Sequence, residues 1–315
     1  MTLRQRWALW LLLGGPIALF SVWAIADNTR LYFVTLLNSL TLASLYFIVA
    51  SGFSLVFGLM RNVNLAHGSL YLLGGYVAFS VAELTGWWSL ALVAGFISAA
   101  LAGWLIQVLL LRHMQGQELR QTMVTIGLSI VIADLLIWAY TGQVHQMEAP
   151  NWLQGPIRGL PVINSYSAYR LSLLGFGIVI GLGLWWLLSR TRVGMMIRAG
   201  VDDRAMLAAA GINVNLVFAL TFALGAGLAG LGGAIGAVEL SMVPGEDTRL
   251  LLASLIVVIV GGMGSVLGAA LGAAILGLAE TYGLAYAPTY SVVFTFIILI
   301  GVLAFRPRGI MGKAA

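Results

Sequence analysis

The chain has 315 residues, of which 61% are hydrophobic and only 9% are charged. Soluble globular proteins are about 45 to 50% apolar, so this composition excludes a soluble fold and predicts a membrane protein. The absence of cysteine excludes disulfides, thiolate metal sites and cysteine catalysis, and the net charge of +5 is better explained by a membrane surface than by nucleic acid.

Nine long apolar tracts follow one another along the chain. Each approaches or exceeds the roughly 20 residues that a helix needs to cross about 30 Å of hydrocarbon. Lipid offers no partner to backbone groups, so each tract is predicted to be helical. The fold class is therefore predicted to be all-α, a polytopic transmembrane bundle of about 8–10 membrane elements in a single domain, 1–315. The tracts are 7–26, 31–60, 68–85, 87–111, 122–142, 171–188, 215–238, 251–281 and 288–305.

The first tract has two interpretations. It follows Arg4 and Arg6 and ends with Ala24 and Ala26, which imitate a signal-peptidase site. Its apolar run is, however, longer than the 7 to 15 residues usual for a signal core. We expect a retained transmembrane helix, with a cleaved signal as the alternative.

The basic residues predict the orientation. With the N-terminus inside and the tracts alternating, twelve arginines and lysines fall on inner segments and four on outer ones, which fits the positive-inside rule. Both termini are then cytoplasmic, loops 143–170 and 239–250 are periplasmic, and loop 189–214 is cytoplasmic. The outer loops carry prolines, Trp152 and acids, a composition that suits either docking of a soluble protein or an interfacial tryptophan belt.

Two interruptions are predicted within the apolar tracts. Parity requires an odd number of crossings after loop 239–250, so tract 251–281 must break, and its glycine-rich stretch 261–268 is the expected position. The second interruption is 60–75, where polar residues end a tract that is longer than the bilayer needs. Interrupted helices mark transport pathways, whereas ordinary capped helix ends are the alternative. The pathway candidates here are Asn62, Asn64, His67, Gly68, Gly261, Gly262, Gly264 and Ser265.

Asp134 is also a pathway candidate, because it lies inside tract 122–142. A carboxylate at that depth costs a few kcal/mol and marks a pathway, an ion pair or a water-filled niche. His67 is expected to pack, to cap a helix or to line a gate. The three histidines cannot converge, so no metal site is expected.

The loop 189–214 gathers an unusual share of the charge. Asp202 or Asp203 can cap a short helix, the alanine-rich run that follows favours a helix, and Gly211 is a natural stop. Topology needs only positive charge, so we interpret the pattern as a docking element for a cytoplasmic protein, with a simple topology determinant as the alternative. The candidate docking residues are Arg198, Asp202, Asp203, Arg204, Ala205, Gly211 and Ile212.

The chain lacks the means to hydrolyse ATP. A P-loop needs a lysine that reaches the nucleotide phosphates, and the only lysine is Lys313, at the end of the chain. ATP and Mg²⁺ are therefore expected on partner subunits, with no cofactor on this chain. The glycines and alanines of tracts 215–238 and 251–281 are expected to let helices approach closely.

Three motifs carry a resemblance to a known family. They are the run N-L-A-H-G (64–68), the loop R-A-G-V-D-D-R-A-M-L-A-A-A-G-I-N-V within 191–215, and the turn G-G-M-G-S-x-x-G (261–268). The chain from about residue 31 resembles the LivH-type permease of bacterial branched-chain amino acid ABC transporters.

The resemblance implies an inner-membrane import subunit with defined partners: a second, LivM-like permease, two LivG/LivF-like ATPases and a periplasmic binding protein. Residues 197–215 would be the coupling helix. Similar permeases carry other amino acids, urea, amides or small aromatic acids, so the substrate stays open. An ion-coupled secondary transporter using Asp134, Glu83 or Glu280 is the alternative of another class. An intramembrane enzyme would need a converging nucleophile and base, which the sequence lacks.

Overall fold

The computed structural model describes residues 3–60 and 64–312, except for the side chains of 3–18, 59, 60, 202 and 204. Most of this part of the chain is helical, which confirms the predicted bundle. The helices are α1 (Leu3–Met60), α2 (His67–Thr85), α3 (Trp88–Leu109), α4 (Glu118–Tyr140), α5 (Ala168–Arg190), α6 (Arg192–Asp202), α7 (Arg204–Ala209), α8 (Val214–Glu239), α9 (Glu246–Gly261), α10 (Val266–Tyr286) and α11 (Ser291–Phe305).

Within the described residues, seven helical segments are long and apolar enough to cross a membrane. They are Leu19–Gly58, Trp88–Leu109, Glu118–Tyr140, Ala168–Arg190, Val214–Glu239, Val266–Tyr286 and Pro288–Phe305. Helices α2 and α9 are not among them. At 16 residues, α9 spans only about 24 Å, so it is a partial crossing of the kind expected where tract 251–281 breaks.

Helix α1 contains two of the predicted tracts, separated at Asn28. That residue has non-helical angles, φ −150° and ψ 91°. Its side-chain oxygen accepts a hydrogen bond from the Leu31 backbone nitrogen at 2.9 Å, which caps the second half of the helix. The first half packs by aromatic contact, with the Phe20 ring edge-on to Tyr286 at 5.2 Å.

The turn between α9 and α10 confirms the predicted break at 261–268. Gly262 and Gly264 have φ of 108° and 78°, a region that favours glycine. The Ser265 hydroxyl caps α10 by accepting a hydrogen bond from the Gly268 nitrogen at 3.0 Å. Two carbonyls at the end of α9 accept hydrogen bonds from the C-terminal segment, from Ile310 and Met311, each at 2.9 Å. The broken helix therefore keeps its backbone groups paired.

A small β-hairpin departs from the all-α prediction. Strands β1 (Pro156–Leu160) and β2 (Asn164–Ser167) pair antiparallel within loop 143–170. The strands are short and polar, so period-two alternation gave no signal for them. The hairpin leads directly into α5.

Helix α8 forms the centre of the bundle and packs against α1, α2 and α3. Small residues permit this packing, as the sequence predicted: a Cβ on Gly74 of α2 would overlap the backbone of Gly230 in α8, and a Cβ on Gly233 would overlap the Tyr71 carbonyl. Lipid provides no hydrophobic drive between helices, so close van der Waals contact of this kind supplies the attraction.

We expect Gly74→Ala to lower the free energy of unfolding by about 1 to 3 kcal/mol, because an overpacked contact forces α2 and α8 apart. Gly127→Ala is the matched control, since Gly127 is also helical and a Cβ there meets nothing within 4 Å. Reversible denaturation in detergent measures both. Equal effects of the two substitutions would contradict the role given to the α2–α8 contact.

Candidate functional site

The predicted docking element consists of two short helices, α6 and α7, which we call the α6–α7 segment (192–209). The Thr191 hydroxyl caps α6 by accepting a hydrogen bond from the Gly194 nitrogen at 3.1 Å. The Asp203 carboxylate caps α7, accepting from the Ala205 and Met206 nitrogens at 2.8 and 3.0 Å. Gly211 ends the segment with φ 79°. Of the two predicted caps, Asp203 is the one used.

Two apolar side chains anchor the segment to the bundle. Ile197 of α6 and Leu207 of α7 are buried in the main hydrophobic core, and Ile212 packs against it. The Asn213 side chain then caps α8 by accepting a hydrogen bond from the Leu216 nitrogen at 3.2 Å. The segment is therefore fixed to the start of the central helix.

The opposite face of the segment is exposed and mixed in character. Met206 is 72% exposed and Met195 is 53% exposed, and Arg198, Asp203 and Ala205 are exposed beside them. In the described part of the chain, Arg198 and Asp203 form no ion pair. Exposed methionines with unpaired charges form a surface suited to a protein partner. The side chains of Asp202 and Arg204 lie outside the description.

The second group of predicted residues lies where α2 begins. His67 is fully buried, with Nε2 3.0 Å from the Val49 carbonyl oxygen and its ring edge-on to Phe53. The Asn64 side-chain oxygen accepts from the Ala66 nitrogen at 3.1 Å. These contacts agree with packing and capping roles. Asn62 lies outside the described residues.

Helix α9 connects this group to the α9–α10 turn. Gly68 packs closely on the α9 backbone at Asp247, near the start of that helix. The end of α9 leads into Gly261, Gly262, Gly264 and Ser265, and Gly264 lies against Gly58 of α1. The two interruptions thus contact one another through a single short helix, although they are distant in sequence.

Asp134 lies apart from both groups. It is exposed on the surface of α4, and Ile130, Val131 and Ile137 around it are exposed too. None of the ion pairs in the described residues includes Asp134. Within 3–60 and 64–312, no group of three or more His, Cys, Asp or Glu side chains is placed to hold a metal ion.

Two charged clusters were not predicted as sites. Arg249 contacts Glu246 at 2.8 Å and Glu280 at 2.9 Å, and the Tyr46 hydroxyl donates to Glu280 at 2.6 Å. Arg170 contacts Glu239 at 2.6 Å. Glu246 and Arg249 are three residues apart on α9. The pairs Arg249–Glu280 and Arg170–Glu239 join separate helices, and only the tertiary fold brings these partners together.

The chain matches the family model described as branched-chain amino acid transport system / permease component, over residues 35–303. The chain belongs to this family. The permease is 31% identical to the high-affinity branched-chain amino acid transport system permease protein BraD of Pseudomonas aeruginosa, over 90% of this chain and 96% of the relative. It is 30% identical to LivH of Escherichia coli (strain K12), with the same shares covered.

The name of a more distant relative specifies a different substrate. The autoinducer 2 import system permease protein LsrC of Salmonella typhi is 27% identical, over 93% of this chain and 83% of the relative. No solved structure matches the chain.

The permease is therefore a multi-pass membrane subunit of an ABC importer, a transport subunit without a cofactor of its own. Membership of a family of transport-system permease components implies that it works in a complex with partners.

We expect Asp203→Ala to speed amide hydrogen exchange at Ala205 and Met206 about fivefold, because loss of a helix cap costs about 1 kcal/mol. Asp203→Asn retains a capping oxygen and serves as the control. Amide hydrogen exchange of the two variants is compared by mass spectrometry. Unchanged exchange in the alanine variant would show that the cap does not hold α7.

Proposed function

We propose that the permease imports branched-chain amino acids across the bacterial inner membrane, with both termini in the cytoplasm. It forms the pathway with a second, LivM-like permease. Two LivG/LivF-like ATPases bind ATP and Mg²⁺ and drive it, and a periplasmic binding protein delivers the substrate. Other amino acids are the nearest alternative substrates, followed by urea, amides or small aromatic acids.

The observation that carries the mechanism is the continuity of the α6–α7 segment with α8. Its exposed face, with Met206 and Met195, is free to meet an ATPase, while its buried face is locked to the core through Ile197 and Leu207. Only Asn213 and three neighbours separate α7 from the central helix. ATP-driven movement of the segment would therefore act on the centre of the bundle.

The names of the relatives support a branched-chain amino acid as the substrate. BraD and LivH, whose names specify branched-chain amino acids, are 31% and 30% identical to this chain, whereas LsrC is 27% identical. This difference in sequence identity favours amino acids as the substrate class, but it does not distinguish leucine from isoleucine or valine.

The interrupted elements are proposed to border the pathway. Gly68, which follows Asn64 and His67 in the chain, packs against the start of α9, and Gly261 to Ser265 lie at its end, so a shift of α9 would act on both interruptions. Asp134 is proposed to face a partner subunit, because a carboxylate exposed to lipid on α4 costs a few kcal/mol.

We expect Met206→Glu to lower ATP-dependent uptake at least tenfold, because a charge in the apolar part of an interface leaves the ATPase poorly seated. Val144→Glu is the control: Val144 is 62% exposed but follows α4, away from the segment. Uptake and substrate-stimulated ATP hydrolysis are measured in proteoliposomes containing the complete transporter. Full activity of the Met206 variant would contradict the assignment, as would full activity of Arg204→Gln.

An ion-coupled secondary transporter is the alternative that the unpaired Asp134 favours. The other two acids proposed to carry ions do not form a group with Asp134. Glu280 is paired with Arg249, and Glu83 is exposed on α2. We expect the permease reconstituted without ATPases to show no uptake of leucine driven by a pH gradient. Gradient-driven uptake that Asp134→Asn abolishes would replace the ABC mechanism with this one.

A further inference from the structure

A cavity of about 200 Å³ lies between α1, α5, α8 and α10. Its polar residues are Asn38, Thr41, Arg170, Glu239 and Thr281. Its apolar wall consists of leucines: Leu42, Leu45, Leu173 and Leu240. A small cavity with a mostly aliphatic wall and a few converging polar groups is the usual form of a small-molecule site.

The cavity is at the end of the bundle opposite the α6–α7 segment. Four residues separate the end of α7 from the start of α8, which finishes at Glu239 in the cavity. Its 26 residues span about 39 Å. Helix α5 likewise begins beside Arg170 in the cavity and ends at Arg190, before α6. If the segment meets cytoplasmic ATPases, the cavity is on the side from which an importer receives its substrate.

The polar groups form one hydrogen-bonded arrangement. Arg170 contacts Glu239 at 2.6 Å and donates to the Asn38 side-chain oxygen at 3.2 Å. The Tyr166 hydroxyl donates to the same oxygen at 2.9 Å and lies 3.1 Å from the Thr41 hydroxyl. Burial raises the pKa of Tyr166, so the phenol stays protonated and keeps donating. Asn38 thereby fixes the position of the Arg170 guanidinium.

The ion pair between Arg170 and Glu239 can accommodate a charged ligand. The Arg170 and Glu239 side chains remain 40% and 21% exposed, and partly exposed ion pairs contribute little stability of their own. A guanidinium offers five N–H donors in a fixed fork, of which this arrangement uses a part. A ligand carrying both an anion and a cation can therefore join the pair without leaving either protein charge unpaired.

We propose that this cavity binds a free aliphatic α-amino acid, with Arg170 holding the carboxylate, Glu239 holding the ammonium group and the leucine wall holding the side chain. The inference rests on the proposed import of branched-chain amino acids and deepens it by naming a site. The opposite charges match the zwitterion, and four leucines match a branched aliphatic side chain. Urea carries neither charge and lacks an aliphatic side chain for the leucine wall to hold.

The test measures equilibrium binding of three probes to the full-length permease in nanodiscs: leucine, isocaproate, which lacks the ammonium group, and isoamylamine, which lacks the carboxylate. The unmodified protein is expected to bind each analogue at least about tenfold more weakly than leucine. Glu239→Gln should weaken leucine binding about tenfold without weakening isocaproate binding. Arg170→Gln should do the same for leucine while leaving isoamylamine binding undiminished.

The retained affinity for one analogue shows that each variant is folded. Glu148→Gln and Arg158→Gln, which alter exposed charges of loop 143–170, are the matched controls and should bind leucine normally. Failure of the unmodified permease to bind leucine would overturn the inference. So would equal losses for all three probes, or no loss in either variant.

Uptake by the complete transporter separates the two proposals. Normal leucine uptake by Arg170→Gln and Glu239→Gln transporters would overturn the site while the proposed function stands. Absence of branched-chain amino acid uptake by the unmodified transporter would overturn both. If these two variants captured the periplasmic binding protein more weakly but bound leucine with unchanged affinity, the cavity would be a contact for that protein. This result would also overturn the proposed amino acid site.

Discussion

The close approach of the α8 backbone to α1, α2 and α3 is the contact on which the rest of the structure depends. Gly74 meets Gly230, Gly52 meets Gly225, and Gly233 meets the Tyr71 carbonyl, all without room for a side chain. Because lipid is as apolar as the helix surfaces, such packing replaces the hydrophobic effect as the source of helix association. This packing holds α8 in place on several sides.

Helix α8 joins the α6–α7 segment to the cavity. At one end, Asn213 caps α8 directly after the α6–α7 segment. At the other end, Glu239 enters the ion pair with Arg170. A displacement of the segment would therefore act on the cavity through one helix of 26 residues, about 39 Å long. Helix α9 is a second such connection, because its start packs against Gly68 in the first interruption and its end leads into the second interruption at Gly261.

Much of the fold was predictable because its signals are local. Apolar length identified the spanning helices, Gly262 and Gly264 marked the broken tract, and Asp203 with Gly211 bounded α7. The separate helix α6 was missed, because the stretch 189–214 was interpreted as one charged loop containing a single short helix. The hairpin 156–167 was missed as well, since its short polar strands carry no periodic signal.

The site was predictable only in part, for a physical reason. A cap or a turn depends on residues three or four positions apart, so Asp203 and Ser265 could be found from the sequence. The pairs Arg170–Glu239 and Arg249–Glu280 join different helices, and nothing in the sequence selects one acid over another. Asp134, predicted from its intramembrane charge to mark a pathway, an ion pair or a water-filled niche, lies on the exposed surface of α4, and its role stays a prediction.

The α6–α7 segment as the contact to an ATP-hydrolysing partner is the central claim, and the lack of native cysteine allows a direct measurement. Met206→Cys and Val144→Cys are introduced singly into the complete transporter and treated with a short bifunctional thiol-to-amine crosslinker. The account predicts that the Cys at 206 crosslinks to an ATPase subunit, more strongly after nucleotide is added, and that the Cys at 144 does not. Crosslinking of the ATPase from position 144 and not from position 206 would contradict it.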